Sequence, residues 1–198
     1  MISMSKVVKE FQKQGGVLKT SELNKLGLSS RQIRKLLDQG ELSKIKRGYY
    51  ELSHDVTSEE VMIARLFPKA VIFLESALLK YGYTDRIPLA WQIAVNRDSE
   101  KSKYDIDYPI IKPFYQKSKF LNIGVTTIIV DGVNVRYFDR DRTICDVMRY
   151  ERKLEKEVYS KAVMNYIKDS NKNIRHLFEY AKLLNITRKV DSQIGKWL

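Results

Sequence analysis

Six cations crowd one short stretch of this 198-residue chain: Arg31, Arg34, Lys35, Lys44, Lys46 and Arg47. Guanidinium and ammonium groups are poor acid–base catalysts at neutral pH. They are good donors to phosphate oxygens and to base edges, the guanidinium as a two-pronged fork and the ammonium as a point charge. Neutral donors and acceptors, Ser29, Ser30, Gln32 and Tyr49, stand among them. Such a set grips a polyanion; nothing in it breaks a bond.

The elements that must carry these groups follow from residues 20–52. Thr20 or Ser21 caps a helix whose apolar side is Leu23 and Leu26, and Gly27 supplies the turn that ends it. Ser29 or Ser30 caps a second helix that runs to Gln39 and stops at Gly40. Its spacing sends Ile33, Leu36 and Leu37 to the core and Ser30, Arg31, Arg34, Lys35 and Asp38 to the opposite face. Residues 42–52 then alternate around a break at Arg47–Gly48, the pattern of a β-hairpin with Lys44, Lys46 and Arg47 at its tip. Helix, turn, basic helix and basic hairpin make a winged helix-turn-helix, a module that places one helix in the major groove of double-stranded DNA. On that reading Ser30, Arg31, Gln32 and Arg34 face the major groove, with Ser29 beside them in the DNA-binding set. Lys35, Lys44, Lys46, Arg47 and Tyr49 hold phosphates or the minor groove.

Charge agrees with a polyanion partner. The net charge is +12, and residues 1–52 carry 11 Lys and Arg against 5 Asp and Glu, half the excess in about a quarter of the chain. A hydrophobic fraction of 43% excludes general disorder. No apolar run is long enough to span a membrane, residues 1–6 lack a signal-peptide block, and the lone Cys145 has no disulfide partner. These features predict a cytoplasmic protein of two domains: a DNA-binding head over 1–52, a linker over 53–57 and a larger domain over 58–198.

The larger domain reads as α+β. Ser58 caps a helix through Phe67, a strand or helix covers 71–81, and Trp91–Val95 is a strand. Two β-branched runs around Asp131–Gly132 predict a hairpin over 126–138, and helices follow over 141–151, 155–169 and 173–184. The expected result is an antiparallel sheet with a helical C-terminal half, and a weakly patterned basic ending over 186–198.

Catalytic and metal-binding patterns are missing. His54 and His176 are far apart, no cysteine or histidine pair has ligand spacing, and glycine-rich phosphate loops are absent. Cys145 falls beside Ile144 and Met148 on an apolar helix side, as a packing residue does. A metal-dependent nuclease needs carboxylates and a lysine on a strand, and Trp91–Val95 carries none. Asp146 follows Arg142 by four residues and precedes Arg149 by three, the spacing of surface ion pairs on one helix face. No cofactor, metal or catalytic residue is therefore predicted. A divergent nuclease and a regulator with no toxin partner remain as alternative readings.

The head, with Leu18-Lys-Thr-Ser-Glu-Leu23, Gly27-Leu-Ser29 and Arg47-Gly-Tyr-Tyr50, resembles the AbiEi-type antitoxins of bacterial abortive-infection toxin–antitoxin systems. The later Asp141-Arg-Thr-Ile-Cys-Asp146 is similar to a segment that family carries in its C-terminal domain. The resemblance implies a phage-defence regulator that represses its own operon by binding inverted repeats through the winged head. It also implies a nucleotidyltransferase toxin as functional partner, countered by the C-terminal domain without a stable complex. No active site is implied.

Overall fold

A computed structural model describes residues 4–197; residues 1–3, which open the stretch read for a signal peptide, and residue 198 lie outside it. The chain divides into two compact units. One holds the residues up to Lys69 with Asp105–Ile110 and Ile128–Val135, and the other holds Ala70–Tyr104, Ile111–Thr127 and the residues from Arg136 onward. Among the described residues no helix is long and apolar enough to cross a membrane.

The first unit runs α1 (Met4–Lys13), β1 (Val17–Lys19), α2 (Thr20–Lys25), α3 (Ser30–Asp38), β2 (Leu42–Lys46), β3 (Tyr49–Leu52) and α4 (Glu59–Leu66). β1 and β2 both pair antiparallel with β3, in the order β1-β3-β2. Val7 and Phe11 of α1, one turn apart, meet Leu18, Leu23, Leu28, Ile33, Leu42 and Leu52 in one buried core. The turn between α2 and α3 is dictated by Gly27. Its φ of 88° lets the Leu28 amide reach back to the Leu23 carbonyl while its own amide binds that of Asn24. Leu28 and Leu23 then pack together in that core, closing the helix end.

The elements that follow are β4 (Val71–Ile72), α5 (Leu74–Lys80), β5 (Trp91–Asn96), β6 (Ile111–Gln116), β7 (Val125–Val130), β8 (Val133–Phe138), α6 (Arg140–Arg149), α7 (Lys156–Lys168), α8 (Ile174–Leu183) and α9 (Thr187–Gln193), all in the second unit except the β7–β8 stretch Ile128–Val135. The α+β class is borne out, but the sheet is mixed and not antiparallel. In the order β6-β5-β4-β8-β7, β5 runs parallel to β6 and β4 parallel to β8. The run from Arg97 to Ile110, with a 3₁₀ turn at Lys101–Tyr104, returns the chain to the opposite end before β6 starts, and a parallel neighbour requires such a crossover. Pro113, which lacks an amide to donate, is accommodated because β6 is an edge strand. The β7–β8 turn has positive φ at Asp131 (48°) and Gly132 (76°), as a primed hairpin turn requires. The ending expected to be weakly patterned contains α9, whose Val190 joins Ile194 in the helical core of this unit.

Candidate nucleic-acid interface

Ser29 caps α3 reciprocally with Gln32. The Gln32 amide N–H is 3.4 Å from Ser29 Oγ, while Gln32 Oε1 accepts from the Ser29 amide at 2.8 Å and from Oγ at 2.9 Å. Ile33 is buried and Leu36 and Leu37 pack on the core, so the other side of α3 turns to solvent. Ser29, Ser30, Arg31, Gln32, Arg34 and Lys35 are all exposed there. Arg31, Arg34 and Lys35 have no ion-pair partner among the described residues. α3 packs beside β2, and on the hairpin Lys44 and Arg47 are likewise exposed cations without a carboxylate partner among the described residues.

Lys46 and Tyr49 are placed differently. The Lys46 ammonium donates to the Leu66 carbonyl at 3.4 Å and lies 4.1 Å from the centre of the Phe67 ring and 4.9 Å from that of Tyr49. Tyr49 is half-buried, also within 5.7 Å of the Lys19 ammonium, and burial pushes its hydroxyl pKa up. Tyr50, on the other side of the strand, packs against the head core. Of the ten residues expected to touch DNA, the fold thus gathers Ser29–Lys35 on one helix face and Lys44 and Arg47 on the hairpin. Lys46 and Tyr49 flank the turn at the hairpin tip, with the Lys46 ammonium turned onto the end of α4.

One anchor of this unit was invisible in the sequence. Arg65 of α4 donates through Nη2 to both Glu22 oxygens at 2.8 and 2.6 Å and through Nε to the Val17 carbonyl at 3.1 Å, joining α4 to α2 and β1. Burial alone would raise the Glu22 pKa, but the Lys19 amide and the Arg65 guanidinium hold it below the usual carboxylate range. A carboxyl depressed by folding stabilises above its unfolded pKa and loses that contribution as pH falls through the folded one. Arg65→Ala is expected to cost about 2 kcal/mol, the worth of charge-assisted hydrogen bonds in a partly buried site. Denaturant titrations followed by circular dichroism, from about pH 7 down to about pH 3, should show the wild type losing more stability than the variant; equal losses would remove Arg65 from this role.

In the second unit the Arg142–Asp146–Arg149 spacing does form ion pairs, but they are interior, against the expectation of a surface face. Arg142 and Asp146 are each fully buried, because α6 packs among α5, α7 and α8 and residues 116–124 close over Arg142. Arg142 Nε donates to Asp146 at 2.8 Å, and Nη1 donates to the Phe120 and Ile123 carbonyls at 2.8 and 2.7 Å. Arg149 Nη1 donates to the second Asp146 oxygen at 2.7 Å. Cys145 packs in the core as read, and burial drives its thiol pKa up, far from nucleophilic use.

The fold also gathers Asp139, Asp141 and His176, with donor atoms within 4.8 Å of one another, which the separation in sequence concealed. Hydrogen bonds already engage the two carboxylates. Asp139 caps α6 and accepts from Tyr180 at 2.9 Å, while Asp141 accepts from Tyr166 at 2.7 Å and from the Asn173 amide at 2.8 Å.

The chain thus pairs a helix-turn-helix unit with a larger α+β unit, and α3 carries exposed cations. Residues 5–53 match the family described as "Transcriptional regulator, AbiEi antitoxin", so the likeness to the AbiEi-type antitoxins holds over the head of the chain. No curated protein matches. Among solved structures, the crystal structure of the RV2827C protein from Mycobacterium tuberculosis shares the fold with a TM-score of 0.63. The two are 13% identical over 92% of this chain and 72% of that one, a likeness of fold alone.

Proposed function

We propose that the chain is a winged helix-turn-helix autorepressor and antitoxin, non-enzymatic and cytoplasmic. It binds inverted repeats in the promoter of its own operon and counters a nucleotidyltransferase toxin through its C-terminal domain without a stable complex. In this reading the head over 1–52 is the DNA-binding domain, residues 53–57 the linker and 58–198 the antitoxin domain. The α3 face, Ser29 to Lys35, enters the major groove, and the hairpin is the wing. Lys44 and Arg47 meet phosphates, while Lys46 and Tyr49 flank the wing's turn and border the backbone there.

The observation that carries the reading is the set Arg31, Arg34, Lys35, Lys44 and Arg47, exposed and without ion-pair partners among the described residues, on two elements that pack together. Adjacent like charges left unpaired repel one another, and a phosphate backbone relieves that repulsion while releasing its counterions. The test is binding of the full chain to the DNA upstream of its own reading frame against a shuffled duplex, over a salt series. Binding should favour the natural fragment and weaken steeply with salt. Equal affinity for both duplexes, or affinity indifferent to salt, refutes operator recognition. A toxin-rescue assay with the neighbouring reading frame tests the antitoxin half; growth arrest that this chain fails to relieve refutes that half.

A further inference from the structure

In the second unit, where β6 ends and the chain enters the 3₁₀ turn Ser118–Phe120, a recess of about 240 Å³ opens to solvent. Arg97, Gln116, Lys117, Phe120, Arg149 and Tyr150 line it. Gln116 is 4% exposed and its Oε1 accepts from Arg142 Nη2 at 3.3 Å. That hydrogen bond fixes which way the amide points, since the reversed amide would set its NH₂ against a guanidinium. The Nε2 donor is thereby held away from Arg142, buried and without a hydrogen-bond partner among the described residues. A buried donor left unused costs about 1–3 kcal/mol, a cost that an acceptor bound in the recess that Gln116 lines would relieve.

The same wall is cationic. Lys117 is exposed with no ion-pair partner among the described residues, and Arg97 meets only its neighbour Asp98, at 3.5 Å. Arg149 spends Nη1 on Asp146, while its guanidinium lies 5.3 Å from the Phe120 ring centre and 5.5 Å from that of Tyr150. Arg97, Lys117, Arg142 and Arg149 against Asp98 and Asp146 leave an excess of two positive charges. A phosphate monoester carries about −1.5 to −2 at neutral pH and offers three acceptor oxygens. A carboxylate would neutralise half of that excess, and a backbone phosphodiester only one charge of it.

We propose that this recess binds the phosphate monoester of a small molecule, with Gln116 Nε2 and the Arg149 fork as fixed donors and Arg97 and Lys117 closing over it. The site is separate from the proposed DNA surface and stands whether or not that surface binds an operator.

The test uses the full chain with inorganic phosphate and with adenosine 5′-monophosphate, against adenosine and against sodium chloride at equal ionic strength, by calorimetry. Saturable binding of either phosphate with none of adenosine supports the site, and preference for the nucleotide would show that the aromatic rim takes part. Gln116→Glu keeps an acceptor for Arg142 but replaces the free donor with an anion, and should weaken binding by more than tenfold. Arg97→Ala and Lys117→Ala, both at the surface, should each weaken it several-fold. Binding abolished instead when Arg31, Arg34, Lys44 and Arg47 are replaced would place the phosphate on the head and overturn the proposal. So would unchanged affinity in Gln116→Glu, or no saturable binding by the wild type.

Discussion

Arg142→Ala is expected to destabilise the second unit by about 3–5 kcal/mol, the cost of breaking a buried ion pair from one side. The guanidinium is the post around which residues 116–124 are wrapped: it holds Asp146, two backbone carbonyls and the Gln116 amide from a fully buried position. Its removal leaves the Phe120 and Ile123 carbonyls without that donor, and leaves the Asp146 carboxylate to Arg149 alone. Both tryptophans, Trp91 and Trp197, belong to this unit, so tryptophan fluorescence reports its melting apart from the head. The midpoint should drop by roughly 10–20 °C for a unit of this size. Arg142→Lys keeps the charge but not the fork, and should recover only part of the loss. The close approach of Gly124 makes the same point from the other partner. A Cβ there would stand 2.6 Å from that of Arg142, at a φ of 66°. A loss under about 1 kcal/mol in Arg142→Ala would mean that the loop closes without its post.

That same arginine marks where the sequence stopped being legible. Spacing on one helix correctly paired Arg142 and Arg149 with Asp146, because i,i+3 and i,i+4 neighbours are set by the helix itself. It could not reveal that this face is interior, since burial depends on loop 117–124 folding over it from about twenty residues upstream. The Arg65–Glu22 link and the unused donor of Gln116 were hidden for the same reason. By contrast, most of the head was readable locally, although α2 starts from Lys19, whose amide donates to Glu22, and not from a Thr20 or Ser21 cap. Its caps, glycine turns and apolar periods are local devices, and Ser29, Gly27 and the Arg47–Gly48 break act within a few positions of themselves. The mixed sheet escaped because strand direction is decided by crossovers such as 97–110, whose charged composition carries no period. α9 escaped because Val190 and Ile194 give one apolar turn too short to stand out.

The largest functional effect should come from the head. Replacing Arg31, Arg34, Lys44 and Arg47 together with alanine is expected to lower affinity for the operator on the order of a thousandfold at physiological salt. The log–log salt dependence should flatten by about 3 to 4 units, close to 0.9 for each phosphate that the variant no longer neutralises. Folding should be spared, because all four side chains are exposed and none has an ion-pair partner among the described residues. The same variant also removes four charges from a chain whose excess is +12. A control with Lys101, Lys103, Lys156 and Lys182 replaced removes equal charge from exposed positions of the second unit. If DNA is held by general basicity, both variants fall equally and the salt slope changes alike. If it is held by the α3 face and the hairpin, the control keeps its affinity within a few-fold. The two also part on sequence choice: without an Arg34 hydrogen bond to a base, discrimination should relax at one position, whereas removing Arg47 should weaken all duplexes together. Only a local surface predicts that asymmetry, since bulk charge has no register along the duplex.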